Sequence, residues 1–359
     1  MENISVMIWN HLFKIFGTAE EVYVRRQQFQ LMDLIFNRMK EHGGFILISI
    51  GSKAEGLNIE GSDLDFMFVF NKVSVDCLNG DSVSHGDIII DTNNIKPGFA
   101  RLNCQDMSCL SNTFFTAAVT ETKNGIAFSS LLFRHILTWP VVAAEWIHRY
   151  RGNNWPSRDL ITEIVRNGCL IVPIWNPEAQ DSFMQWRISF SVAEKKLVYS
   201  MNHTEFLCYA LLKLYLKHVV NSHHRVKKLL CSYFLKTCLF YCIEEEDITW
   251  NKNNFLDCFW TCFRRIIKWV RDEYCPNFFI KENNMFEGNI CGDKGRLLFT
   301  YLSELYDEGL LSLSRIPCLA WLQCFFMTPE VAPSPLTDVE KEYICDRRTL
   351  LDLEVDEFP

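Results

Sequence analysis

An excess of positive charge is missing from this 359-residue chain: 36 Lys and Arg stand against 44 Asp and Glu, a net charge of -8. A field of that sign repels phosphate, so any contact with nucleic acid has to be local rather than a property of the whole surface. No apolar run reaches membrane-spanning length, which excludes a helical membrane span. The opening MENISVMIWNHLFKIFG carries an early Glu and breaks its apolar residues with Asn, His and Lys, unlike an export signal. The 15 cysteines therefore read as reduced thiols of a cytoplasmic protein, with the nucleus as a further compartment. No Cys-x-x-Cys spacing occurs, and His223, His224 and Cys231 are too few for a structural site, so zinc is not expected. Glycine and proline are sparse, at 16 and 11 residues. Together with a composition 48% hydrophobic and 14% aromatic, that excludes a collagenous or disordered chain and leaves a globular one long enough for two lobes.

The pattern changes once along the chain. Apolar residues at roughly helical spacing predict a long helix over 20–42, stopped by His42-Gly43-Gly44. FILISI at 45–50 and the stretch 62–70 read as strands, with further strands over 88–90, 114–119 and 170–174. From Thr204 onward FLCYALLKLYLKHVV and LLCSYFLKTCLFYCI repeat apolar residues with helical spacing and almost no Gly or Pro. Cys238 and Cys242, like Cys258 and Cys262, lie four apart among Phe, Tyr and Leu, as on the buried face of a helix. Past Thr328 a stretch with Pro329, Pro333, Pro335 and many acids predicts a loosely attached tail. The expected organisation is an α+β protein: a mixed sheet with flanking helices and a long N-terminal helix over 1–200, an all-helical lobe over 201–327, and the tail over 328–359.

One constellation carries chemistry. Gly51-Ser52 follows the FILISI strand, and Asp63-Leu64-Asp65 opens the next one. Alternate residues of a strand share a face, so Asp63 and Asp65 are expected to point into one cleft while Leu64 and Phe66 enter the core. Two such carboxylates can hold divalent metal, and nucleotidyl transfer uses two Mg²⁺ ions to clamp the attacking hydroxyl and the leaving pyrophosphate beside a Gly-Ser turn. The same residues also read as a plain turn with Asp63 capping its own backbone. A basic run, Arg264, Arg265, Lys268 and Arg271, offers phosphate contacts, although a solvated face opposite Phe259, Phe263 and Ile266 is the simpler reading.

Three later stretches, in order, make a resemblance specific: WRISFSVAEKKL at 186–197, CSYFLKT at 231–237 and NFFIKENNMF at 277–286. With the Gly-Ser and Asp-x-Asp residues, the chain resembles the cyclic GMP-AMP synthase and male-abnormal-twenty-one-like family over about 45–286. The resemblance implies a bilobal nucleotidyltransferase fold in which Gly51 and Ser52 bind triphosphate, and Asp63 and Asp65 hold Mg²⁺ or Mn²⁺. It implies that Arg187 contacts a base, that Lys213 contacts phosphate and that Tyr233 stacks on a purine. Ser189, Ser191, Ser232 and Lys236 belong to the same nucleotide-binding set. Tyr233 reads equally well as a core residue among Leu229, Leu230 and Phe234.

The third metal-holding acid of that family is expected just before Trp139-Pro140. Between Asn124 and Trp139 there is no Asp or Glu, and Ser129 or Ser130 stands where the acid belongs. Ser is a far poorer ligand for a hard cation than carboxylate, so impaired catalysis is expected unless Asp87, Asp91 or Glu121 substitutes. The resemblance thus implies an innate-immune receptor that binds ATP- or GTP-type nucleotides, senses double-stranded RNA or no nucleic acid, and has an incomplete catalytic triad. The alternatives are an active synthase of a cyclic dinucleotide and a non-enzymatic developmental scaffold.

Overall fold

The computed structural model describes residues 4–39, 45–59, 65–77, 88–93, 95–104, 119–122, 125–128, 135–137, 139–173 and 186–327. The 328–359 tail, Asp63, Asp87, Ser129 and Ser130 lie outside them.

The first residues form their own helix, α1 (Ile4–Phe16), because Ile4, Ile8, Leu12 and Phe16 repeat every four positions and are all buried. The long helix expected over 20–42 is α2 (Ala19–Arg38). It is opened by a reciprocal cap in which the Thr18 hydroxyl accepts from Glu21 N and the Glu21 carboxylate accepts from Thr18 N.

Among the described residues nine strands form the sheet, β1 (Phe45–Ile50), β2 (Asp65–Cys77), β3 (Ile88–Asp91), β4 (Phe99–Cys104), β5 (Val119–Thr122), β6 (Gly125–Phe128), β7 (His135–Leu137), β8 (Cys169–Pro173) and β9 (Trp186–Ser189). Their order is β1-β2-β7-β8-β9-β4-β6-β5, with β3 paired to both β2 and β4. The sheet is mixed, as expected: β2 runs parallel to β3 and β7, and the other pairs are antiparallel. Of the stretch 114–119 only Val119 is described, at the start of β5. One expectation fails on β2. Phe66 is 41% exposed, whereas Met67 and Val69 are buried against Leu170, Val172 and the isoleucines of β1. Both faces of this strand are apolar, so alternation alone does not tell which one meets the core.

Two helices of the sheet half lie outside the sheet, α3 (Arg158–Asn167) and α4 (Ser191–Ser200), which leaves β9 after Phe190, and the helical half follows. Only Met201 and Asn202 separate α4 from α5 (His203–His218), followed by α6 (Ser232–Glu245), α7 (Phe255–Arg271) and α8 (Gly292–Glu308). Helices α5 and α6 are apolar nearly all round and buried nearly all round, as a central pair must be. Helix α1 packs on α5 and α7, with the Trp9 indole donating to Thr204 Oγ1 at 3.2 Å and Leu256 N donating to Ser5 Oγ at 3.2 Å. Cys208, Cys238, Cys242, Cys258 and Cys262 are all fully buried here.

A second contact ties the loop after Trp146 to this half. Glu244 of α6 is ion-paired to Arg149 at 2.6 Å and to Arg151 at 2.7 Å, while the Arg149 guanidinium lies over the Phe278 ring. The basic run on α7 is a surface: Arg264 and Lys268 are exposed, and Arg265 pairs with Glu245 and Glu246 at the end of α6.

Candidate functional site

The strand-to-helix bend after β1 needs a left-handed residue, and Gly51 supplies it with φ of 83°. Ser52 then sits in a single helical turn, Gly51–Ala54, where its hydroxyl accepts a hydrogen bond from the Lys213 ammonium of α5. Ile50 is paired with Asp65 across β1 and β2, so Asp65 stands beside this turn, exposed, on the strand face that carries Met67.

Next to that turn lies a cavity of about 560 Å³. Arg187 and Ser189 enter it from β9, Ser191 and Glu194 from the first turn of α4, and Tyr233 from α6. The loop 275–286 closes the opposite wall with Asn277, Asn283 and Asn284. Arg187 is exposed and belongs to the sheet, and Ser191 is helical rather than part of the same strand as Ser189. The two hydroxyls nevertheless meet, at 3.2 Å. Gly51, Ser52, Asp65, Lys213, Ser232 and Lys236 are not among the lining residues, although Ile50 brings the Gly-Ser turn to the rim.

The asparagines explain why the loop holds its shape. Asn284 Oδ1 accepts from Cys275 N at 2.9 Å and Asn284 Nδ2 donates to Glu273 O at 3.0 Å. Asn277 Oδ1 accepts from Phe279 N and Ile280 N at 3.0 and 3.1 Å, leaving its amide nitrogen to donate to the Tyr233 hydroxyl at 3.1 Å. Gly98 stands at a φ of 88°, which a residue with a side chain rarely adopts, and a Cβ on it would also crowd the Asn283 amide.

Behind the cavity is a buried polar network. The Tyr233 hydroxyl donates to Glu194 at 3.0 Å, and Lys236 bridges Glu194 at 3.5 Å and Glu55 at 2.5 Å. Tyr209 donates to the other oxygen of Glu55 at 3.3 Å. Burial pushes the Glu194 carboxyl up, with Lys236 pulling it back and Glu55 adding to the rise. Burial opposes the charge on Lys236, but Glu55, Tyr209 and Glu194 together hold it well above the ordinary lysine range. Burial and the nearby Glu194 carboxylate push Tyr233 well up, so it remains a phenol that donates. The sequence reading placed Tyr233 and Lys236 at a nucleotide; in the structure their polar atoms already face each other's partners. Glu55, Glu194 and Asn277 were missed, although Glu194 is one helical turn from Ser191 and Asn277 opens the NFFIKENNMF stretch.

The donors suited to metal are few. Among the described residues no three His, Cys, Asp or Glu side chains are grouped as a metal centre. Glu55 and Glu194 are committed to Lys236 and the tyrosines, which leaves Asp65 as the described carboxylate at the rim. Asp65 alone does not make a two-metal site, and Asp63, the second acid of the expected pair, is not among the described residues. Nor do the described substitutes come near it. Asp91 follows Ile90, which pairs with Cys77, so it lies on the order of 40 Å along β2 from Asp65, and its carboxylate accepts from Asn93 N. Glu121 is on β5, the far edge of the sheet, with three strands between it and β2 by the shortest path.

Two family matches cover most of the residues that line this cavity, all but Ile50, Met67, Lys96 and Phe99. Residues 131–200 match the Mab-21 protein nucleotidyltransferase domain, and residues 206–294 match the Mab-21 protein HhH/H2TH-like domain. The first spans β7 to α4 and the second spans α5 to the start of α8, so the cavity lies where the two matched parts face each other. Gly51, Ser52 and Asp65 precede both.

Proposed function

Because this chain belongs to the Mab-21 and cyclic GMP-AMP synthase-like nucleotidyltransferase family, we propose that it binds an ATP- or GTP-type nucleotide in the cavity between β9 and α6 and does not convert it to a cyclic dinucleotide. The observation that carries this reading is the convergence of Arg187, Ser189, Ser191 and Tyr233, from three separate elements, on one cavity of about 560 Å³. That volume suits a ligand of nucleotide size. The half-buried Tyr233 ring supplies a flat face for a base, and the Arg187 guanidinium supplies a planar donor at the opposite wall. Lys213 and the Ser52 hydroxyl, already hydrogen-bonded to each other, supply the charge and the donor for phosphate oxygens at the rim.

Turnover is where the reading stops. The stretch between Asn124 and Trp139 holds no acid, so Asp63 and Asp65 are left without the third carboxylate that clamps two Mg²⁺ or Mn²⁺ ions. The protein then acts as a cytoplasmic innate-immune receptor of nucleotide-binding type, with duplex RNA as the ligand to test. Direct passage from α4 to α5 leaves two residues for any inserted metal-binding thumb, which speaks against a duplex-DNA grip of that kind.

Two measurements test this. Calorimetric titration with ATP and GTP in the presence of Mg²⁺ should give binding that Arg187→Ala weakens about tenfold, the loss of one charge-assisted contact. Incubation of the unmodified protein with ATP, GTP, Mg²⁺ or Mn²⁺ and a panel of duplex RNA and DNA should give no cyclic product. A ligand-dependent product overturns the impairment, and no binding at all favours the scaffold.

A further inference from the structure

Helix α2 has a packed inner face and an apolar outer one. The inner one, with Val22 and Arg26 buried and Asp33 hydrogen-bonded to Ser49, meets β1 and the helical half. On the outer one Tyr23, Val24, Leu31, Leu34 and Ile35 are 60, 53, 56, 47 and 55% exposed. With about 100° of turn per residue, these five fall within a sector of about 120°, and Glu20, Gln27 and Arg38 fall inside it too. Large side chains about half exposed over this length present on the order of 500 Å² of apolar surface, the upper range for a monomer's largest patch and close to one side of a small specific interface.

The pattern on this face is its own complement. Tyr23 and Ile35, Val24 and Leu34, Gln27 and Leu31, and Glu20 and Arg38 each stand at equal distances on either side of Phe29. Two copies of α2 laid antiparallel about a two-fold axis at the level of Phe29 therefore bring Tyr23 against Leu34 on one flank and Val24 against Ile35 on the other, and each Glu20 against an Arg38. Such a contact is isologous and closes on itself. A parallel arrangement would place Glu20 beside Glu20 and Arg38 beside Arg38. Glu20 is held at the helix start by its own backbone and by the Thr18 hydroxyl, which lower its pKa and keep it an anion, and it is exposed. We propose that the outer face of α2 is a homodimer interface, occupied by the same face of a second copy of this chain in antiparallel register. It is independent of the nucleotide reading.

Sedimentation velocity of the full chain from about 1 to 100 µM tests it, with a dissociation constant expected in the micromolar range for so small an interface. Leu31→Glu puts a charge at its centre and should weaken dimerisation at least about tenfold, with the circular dichroism spectrum and melting temperature of the wild type because the residue is exposed. Glu20→Arg alone and Arg38→Glu alone should each weaken it by roughly threefold to tenfold, and the two together should restore it, since the pair is exchanged across the axis. A wild-type chain that is monomeric throughout this range overturns the proposal, whether another segment or another protein covers the face. So does a dimer that survives Leu31→Glu, or a double reversal weaker than both single ones.

Discussion

Glu205 sits at the third position of α5 and caps the helix from inside the protein. Its carboxylate accepts from Asn202 N at 2.8 Å and from Asn202 Nδ2 at 2.9 Å, while Glu205 N donates back to Asn202 Oδ1 at 2.9 Å. Burial raises its pKa to about 7 from the usual 4.5, against the lowering effect of the Asn202 backbone bond. The folded chain therefore holds this proton more tightly than the unfolded one. The stability it brings is complete below about pH 4.5 and is lost as pH rises through about 7. Glu205→Gln keeps an acceptor for Asn202 without the charge. Urea unfolding of both proteins at pH 5, 6, 7 and 8 should show a flatter profile for the variant and, at pH 8, a gain on the order of 2 kcal/mol over the wild type. A wild-type profile flat across that range would remove the argument. At this scale the sequence was legible where chemistry is local. The Gly51-Ser52 turn was read from local sequence, and the Asn202–Glu205 and Thr18–Glu21 spacings are local cap signals that the reading passed over. Glu55, Glu194 and Lys236 were not legible as a set, because Lys236 meets its partners across 42 and 181 residues of chain.

Three elements are held in register by that set. Glu55 follows the Gly-Ser turn, Glu194 belongs to α4 and Lys236 to α6, so one ammonium positions the turn and both cavity walls. Arg26 of α2 braces the same turn from the other side, donating to Glu55 O at 2.9 Å and Val198 O at 3.2 Å, with its guanidinium over the Tyr199 ring. Lys236→Met leaves two buried carboxylates facing each other and should cost about 3–5 kcal/mol at pH 7.5. Part of that loss should return on acidification to pH 5.5, as one carboxyl takes up a proton, whereas a purely packing defect would leave the loss unchanged with pH. Thermal unfolding monitored at both pH values distinguishes them. The elements themselves were legible in proportion to their periodicity. Helices α2, α5 and α6 were read from apolar spacing, and β1 and β8 from short apolar runs. The full length of β2 was not, since its second half, Asn71 to Cys77, mixes polar and apolar residues and is defined by pairing with β3 and β7. The orientation of Phe66 escaped for the related reason that Phe66 and Met67 are equally plausible core residues until the partner sheet face is known.

Among the described residues one large core runs through both halves, beside a small separate cluster of Met67, Val69, Leu170 and Val172. Trp146, Ile171, Trp186 and Ile188 of the sheet half belong to the same packed cluster as Leu207, Tyr215, Cys238 and Phe259 of the helical half. Such a core predicts that the halves open together rather than separately. The division into two lobes was legible from the change in pattern near Thr204, but their union was not: it rests on α1 packed against α5 and on Glu244 bridging two arginines, contacts that no local pattern announces. The thiols make this union measurable. Cys231, Cys291 and Cys324 are exposed, while Cys169 on β8 and Cys208, Cys238, Cys242, Cys258, Cys262 and Cys275 in the helical half are buried. Under timed pulses of N-ethylmaleimide read by peptide mass spectrometry, the exposed three should be alkylated at once and the buried seven only as the core opens. If Cys169 and Cys238 acquire label with one shared rate constant, the chain opens as a unit; if Cys169 runs ahead, the sheet half breathes on its own. The buried sulfurs thus form a built-in clock, distributed over both halves and started by the protein's own opening.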